Sequence, residues 1–71
     1  MRTRHNSSYC DWTEYDADTR TLRVAHRGGT VGEYSGVTQP LYDALCRAES
    51  IGSFIHEHIR GKYRYSKVEP R

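Results

Sequence analysis

Two alternating runs flank a pair of glycines in TLRVAHRGGTVGEYSG, residues 21–36, and this segment constrains the fold more than any other. Strict alternation of apolar and polar residues has the period of a half-buried β-strand. Leu22, Val24 and His26 point to one side, and Arg23, Ala25 and Arg27 to the other. The glycines supply the positive φ that a tight hairpin needs. A two-residue turn, Gly28-Gly29, would set Val24 opposite Glu33. A three-residue loop, Gly28 to Thr30, sets Val24 opposite Tyr34 and His26 opposite Gly32. The second register places apolar against apolar, so the segment predicts a hairpin with a three-residue loop and a second strand over Val31–Gly36.

A further strand is expected before this hairpin, in SYCDWTEY, residues 8–15, which is rich in β-formers. Cys10 and Trp12 fall on one side, and Thr13 and Tyr15 on the other. A change of buried face partway along requires a β-bulge, expected near Trp12 or Thr13. The turn DADTR, residues 16–20, carries two aspartates. The remaining ligands and the glycine of a calcium loop are absent, so Asx-turn chemistry accounts for them.

Helical spacing takes over after Thr38. Thr38 is a good N-cap and Pro40 fits a first turn. Leu41, Ala44, Leu45 and Ala48 recur at helical intervals, predicting a helix over residues 39–49. Ser50 caps a second helix whose Phe54, Ile55, His58 and Ile59 share a face, and Gly61 stops it. The expected fold class is therefore α+β: a three-stranded antiparallel β-meander followed by two short α-helices. The expected organisation is a disordered basic tail (1–6), a single domain (7–68) and a C-terminal tail (69–71).

Seventy-one residues give a small core, and only 35% of them are hydrophobic. Six tyrosines, Trp12 and Phe54 must carry much of the burial. Eleven Lys+Arg against nine Asp+Glu give a net charge of +2. That balance permits a phosphate-bearing partner without demanding one. No signal peptide, lipidation motif or membrane-length apolar run is evident, so a cytoplasmic chain with reduced cysteines is expected.

The stretch HEHIRGKYRY, residues 56–65, raises the question of function. His56 and His58 are two apart on a helix, about 200° around it, and cannot readily chelate one ion; a half-buried His58 and a solvated His56 are expected. Cys10 and Cys46 lack a local activating signature, which fits small buried hydrophobes rather than nucleophiles. Gly28-Gly29 precedes no helix and does not form a phosphate loop. No catalysis, metal or cofactor is expected. The remaining candidate is a basic-aromatic surface. Arg60, Lys62 and Arg64 would meet phosphates, Tyr63 or Tyr65 would stack on a base, and Arg23 and Arg27 would extend the surface from the sheet. The structural alternative has Tyr63 packing back on the sheet beside solvated Lys62 and Arg64.

Assembled in order, these pieces resemble the KTSC domain family. The matching residues run from Ser7-Ser8 through Tyr15-Asp16 to Leu22-Arg23-Val24-Ala25-His26. They continue through Tyr34, Val37, Tyr42, Ala44-Leu45, Ala48 and Ser50-Ile51-Gly52. Phe54, Ile59-Arg60 and Tyr63-Arg64-Tyr65 close the pattern. The chain departs from it at Gly32, where the family's Tyr-x-Tyr has its first tyrosine, and at His26, where the family has an aromatic. The family takes its name from a domain at the C-terminus of some lysyl-tRNA synthetases and also occurs as a free-standing bacterial or phage protein. That resemblance implies the meander-plus-helices fold and, by association, RNA binding. The expected function is a non-catalytic module that binds RNA or another phosphate-bearing nucleotide. The alternatives are a protein-interaction adaptor and a small homo-oligomer that sequesters a nucleotide signal.

Overall fold

The computed structural model describes residues 2–5 and 9–68. Strands β1 (Arg2–Arg4), β2 (Cys10–Asp16), β3 (Thr21–His26) and β4 (Val31–Ser35) come first. Helices α1 (Gln39–Arg47) and α2 (Ile51–His58) follow, and β5 (Arg64–Val68) ends the order. All five strands form one antiparallel sheet in the order β1-β2-β3-β4-β5. The helix pair is thus an excursion between two adjacent strands.

The α+β class holds, but the sheet has five strands where the sequence predicted three. Both additional strands are edges. β1 is RTR, too short and polar to show a strand pattern, and it replaces the tail expected over its residues. β5 is RYSKV, and Arg64 to Lys67 are all exposed, so the alternation that marks a buried strand is missing. Residues 69–71 and the remainder of the expected N-terminal tail lie outside the described residues.

The β3–β4 hairpin has a three-residue loop, placed one residue earlier than expected. Gly29 N donates to His26 O at 3.2 Å and His26 N to Thr30 O at 2.7 Å, so the loop is Arg27-Gly28-Gly29. Gly28 and Gly29 take φ of 99° and 95°. Val24 consequently faces Gly32, and Leu22 faces Tyr34. The register differs from the expected one by two residues. A two-residue slip preserves which side chains face the core, so hydrophobic patterning cannot distinguish the two. Either loop contains both glycines, so their positive φ is compatible with either register.

The bulge in β2 lies between Cys10 and Trp12, one residue before the place expected. Asp11 is the extra residue, and it is exposed. Cys10, Thr13 and Tyr15 therefore all face the helices, while Trp12 and Glu14 turn to the opposite face. Asp16 Oδ1 accepts from Asp18 N at 3.0 Å, the Asx turn read from the sequence.

Helix α1 begins as predicted, with Thr38 Oγ1 accepting from Leu41 N at 3.4 Å. It ends two residues sooner, because Ala48 turns extended (ψ 143°) and leaves Ser50 free to cap α2. The core lies between the helices and one sheet face. Its fully buried members include Leu22, Val24, Val37, Tyr42, Leu45, Ile55 and Ile59. Tyr15 and Tyr42 stack at 5.2 Å with 15° between ring planes.

The tyrosine hydroxyls at this seam are satisfied internally. Tyr15 donates to Val37 O at 2.6 Å. Tyr42 donates to Thr3 Oγ1 at 3.0 Å and lies 3.1 Å from Thr13 Oγ1, which in turn meets His5 Nε2 at 2.7 Å. One phenol on α1 thereby ties the edge strand β1 to β2. Tyr42→Phe is expected to destabilise the fold by about 1–3 kcal/mol, since it leaves buried hydroxyls short of a partner. Urea denaturation measures the loss, and amide exchange should show β1 opening first.

Candidate functional site

The sheet presents two unlike faces beyond the core. On the face away from the helices, Trp12, Ala25, Val31 and Val68 are successive cross-strand partners on β2 to β5. Beside them runs the row Glu14, Arg23 and Glu33. Arg23 Nε donates to Glu33 Oε2 at 2.6 Å, and its Nη1 lies 3.5 Å from Glu14 Oε1. The hydrogen bond to Glu33 leads in holding the Arg23 guanidinium charged. Two carboxylates already pair with this arginine, which weighs against the phosphate contact expected of it. The alternation of β3 predicted its direction; the flanking glutamates become visible only with strand register.

A cavity of about 440 Å³ adjoins that row, lined by Glu14, Asp16, Asp18 and Arg23 among others. Three carboxylates around one paired guanidinium disfavour an anionic ligand. Among the described residues, no group of three His, Cys, Asp or Glu side chains can hold a metal ion.

The second cavity, of about 330 Å³, has a different character. It opens on the helix side of the sheet, beyond the C-terminal end of α2, and is lined by Tyr9, His26, Tyr34, Arg60, Gly61 and Tyr65. Each element contributes for a local reason. β3 ends at His26, whose side chain follows Leu22 and Val24 onto the helix face. Tyr34 and Tyr65 are cross-strand partners on β4 and β5, with ring centroids 5.0 Å apart. Tyr9 precedes β2 and meets His26 edge-on, also at 5.0 Å. Gly61, at φ 81°, turns the chain out of α2 and leaves Arg60 at the rim.

Arg60 is exposed, and among the described residues no carboxylate pairs with it. Its field reaches the rings. Burial lowers the pKa of His26, and the Arg60 charge lowers it further. Burial raises the phenols of Tyr9 and Tyr34, with Arg60 opposing. At neutral pH the cavity therefore offers neutral phenol donors, a neutral imidazole and one fixed cation.

Apart from Arg23, the predicted site residues separate into four places. Arg60 and Tyr65 meet at the cavity. Tyr63 is half-buried and packs against the core, the structural alternative for that residue. Lys62 and Arg64 are exposed between them. Arg27 sits in the β3–β4 loop, 3.6 Å from Asp11. Tyr9, His26 and Tyr34 join the cavity without having been placed there from sequence; their joint aromatic character was visible, their convergence was not. His58 is exposed rather than half-buried. As the last residue of α2 it has no element above it, and its ring lies on Phe54 at 4.7 Å. Cys10 and Cys46 are both free thiols, and burial leads in raising that of the fully buried Cys10.

The KTSC domain model matches residues 6–65. The chain belongs to the KTSC domain family. A KTSC domain protein from Yersinia pestis, seen by crystallography, superposes with a TM-score of 0.90 at 30% identity, covering 97% of both chains. The chain is also 33% identical over 54 residues to a lysine–tRNA ligase from Trichormus variabilis. That match takes in 76% of this chain but 10% of the ligase. No helix of this KTSC domain, among the described residues, is long and apolar enough to cross a membrane.

The histidines of the fold give its stability a definite pH dependence. Burial depresses His26 and His5 below the ordinary 6.5. A histidine depressed in the folded state binds protons more readily when unfolded, so stability is complete above about 6.5 and falls as pH drops below it. Removing the Arg60 charge relieves repulsion on His26 alone. Arg60→Ala is expected to raise the His26 pKa and leave that of His5 unchanged, as read by NMR titration of the ring protons.

Proposed function

We propose that this KTSC domain is a non-catalytic binding module for RNA or a smaller phosphate-bearing nucleotide. A base would stack among Tyr9, Tyr34 and Tyr65, and Arg60 would meet its phosphate. The observation that carries this reading is an exposed guanidinium, paired with no carboxylate among the described residues, at the rim of a cavity walled by aromatic rings. A volume of about 330 Å³ lies near the lower end of the ~300–1,000 Å³ typical of small-molecule sites. Aromatic faces stack on bases regardless of sequence, and arginine recognises phosphate through its planar fork of donors. Lys62 and Arg64 follow Arg60 along the chain and would extend a basic path for a longer strand. The likeness to part of a lysine–tRNA ligase favours RNA among these ligands. A cytoplasmic location accompanies this reading.

A second reading is a protein-interaction adaptor, with a homo-oligomer as its simplest form. It rests on the other face, where Trp12, Ala25, Val31 and Val68 make an apolar row across four strands. Contacts of that kind depend little on salt.

Thermal melting with adenosine and uridine 5′-monophosphates and with short single-stranded RNA, at low and moderate salt, separates the two. A ligand that binds only the native state raises its melting temperature. Binding through Arg60 alone should show a log–log salt slope near about −0.7, and engagement of Lys62 and Arg64 as well should bring it to about −2. Arg60→Ala and Tyr65→Ala should each abolish most of the shift. If no nucleotide or RNA moves the transition, the nucleotide reading fails and the adaptor takes its place.

A further inference from the structure

The cavity's outer walls both rest on glycines. A Cβ on Gly32 would lie 2.5 Å from Cε1 of Tyr65, 2.7 Å from its hydroxyl and 2.9 Å from Cζ. Real Cβ contacts do not come that close, so the Tyr65 ring occupies the space that a side chain on residue 32 would fill. A Cβ on Gly52 would likewise meet the Tyr9 ring, at 3.1 Å. Gly32 has no positive φ. Its backbone is open to any residue, and the three atoms nearest a Cβ there all belong to Tyr65.

We infer that Gly32 is a specificity-determining position of this cavity, its bare Cα seating the Tyr65 ring so that the site is a slot for one flat ring rather than an open groove. This rests on the nucleotide reading for its ligand but not for its geometry. The chain of causes is short. Tyr65 lies on the edge strand and is 49% exposed, so its ring is only partly covered. Its cross-strand partner is Tyr34, and Gly32 is the next residue of β4 on the same face. The absent side chain lets the Tyr65 ring lie along β4 in contact range of Tyr34, at 5.0 Å. Alanine at position 32 would strike the far end of the ring. The cheapest relief is rotation of the Tyr65 side chain toward solvent, which removes one wall and leaves the backbone in place.

The test uses the full chain with Gly32→Ala, Tyr65→Ala and the double variant. In the unaltered protein, NMR should show close contacts from the Tyr65 ring protons to the Gly32 Hα and to the Tyr34 ring. In Gly32→Ala the contacts to Tyr34 should vanish while the β4–β5 amide pattern persists. Adenosine and uridine monophosphate affinity should fall about tenfold, the loss expected of one base–aromatic stack. Tyr65→Ala should cost the same, and the double variant no more than either. If Gly32→Ala unfolds the chain, adding Tyr65→Ala should restore the fold by removing the clash; failure to restore it overturns the inference. Retained Tyr65–Tyr34 contacts in Gly32→Ala also overturn it, as does unchanged mononucleotide affinity after their loss. If the unaltered protein binds neither nucleotide, the nucleotide reading and the specificity role fall together, and the NMR contacts still decide whether Gly32 seats the ring.

Discussion

The stacked pair Tyr15–Tyr42 carries the joint between sheet and helices. A chain of 71 residues with few aliphatic side chains cannot build a thick core, so it buries large rings instead. A buried phenol is tolerable only when its hydroxyl has a partner. Tyr15 finds one in the Val37 carbonyl, at the approach to α1. Tyr42 finds Thr3 and Thr13, on β1 and β2. The polar ends of the two rings therefore pin the segment entering the helices and the otherwise weak edge strand. Among the described residues, no buried side-chain nitrogen or oxygen lacks a hydrogen-bond partner.

The bulge at Asp11 makes that joint possible. Without the extra residue, Cys10 and Thr13 would face opposite sides, and Trp12 would compete for the core. With it, Thr13 and Tyr15 both point at α1, and Trp12 moves to the far face with Glu14. The cavity depends on the same edge of the fold. Tyr9 approaches it just before the bulged strand begins, and His26 reaches it as Cys10's partner at the end of β3. An irregularity in one strand thus helps set both the packing of the core and the composition of the site.

Gly32 leaves a bare place on β4, and Tyr65 stands on the neighbouring strand β5. The Tyr65 ring lies over the vacant place. That place carries no side chain of its own, and its aromatic cover comes from the neighbouring strand. Arg23 shows the converse. It is a plausible phosphate contact when read along β3, yet its cross-strand neighbours Glu14 and Glu33 already hold it. Among the described residues, those that line the cavity with Arg60 are rings and a glycine rather than carboxylates.

The sequence by itself determined the α+β class, the faces of β3, the presence of a bulge in β2, both helices and their N-caps, and the family. Those features follow from local periodicity, from glycine φ and from side-chain caps, all of which act within a few residues. It also pointed to Arg60 and Tyr65. Tertiary structure alone decided the two edge strands, the two-residue hairpin register and the meeting of Tyr9, His26, Tyr34 and Tyr65 around Arg60. Edge strands bury too little to leave a hydrophobic period, and a slip of two residues leaves every face unchanged. The convergence of rings from four separate segments depends on strand order, which no local pattern encodes.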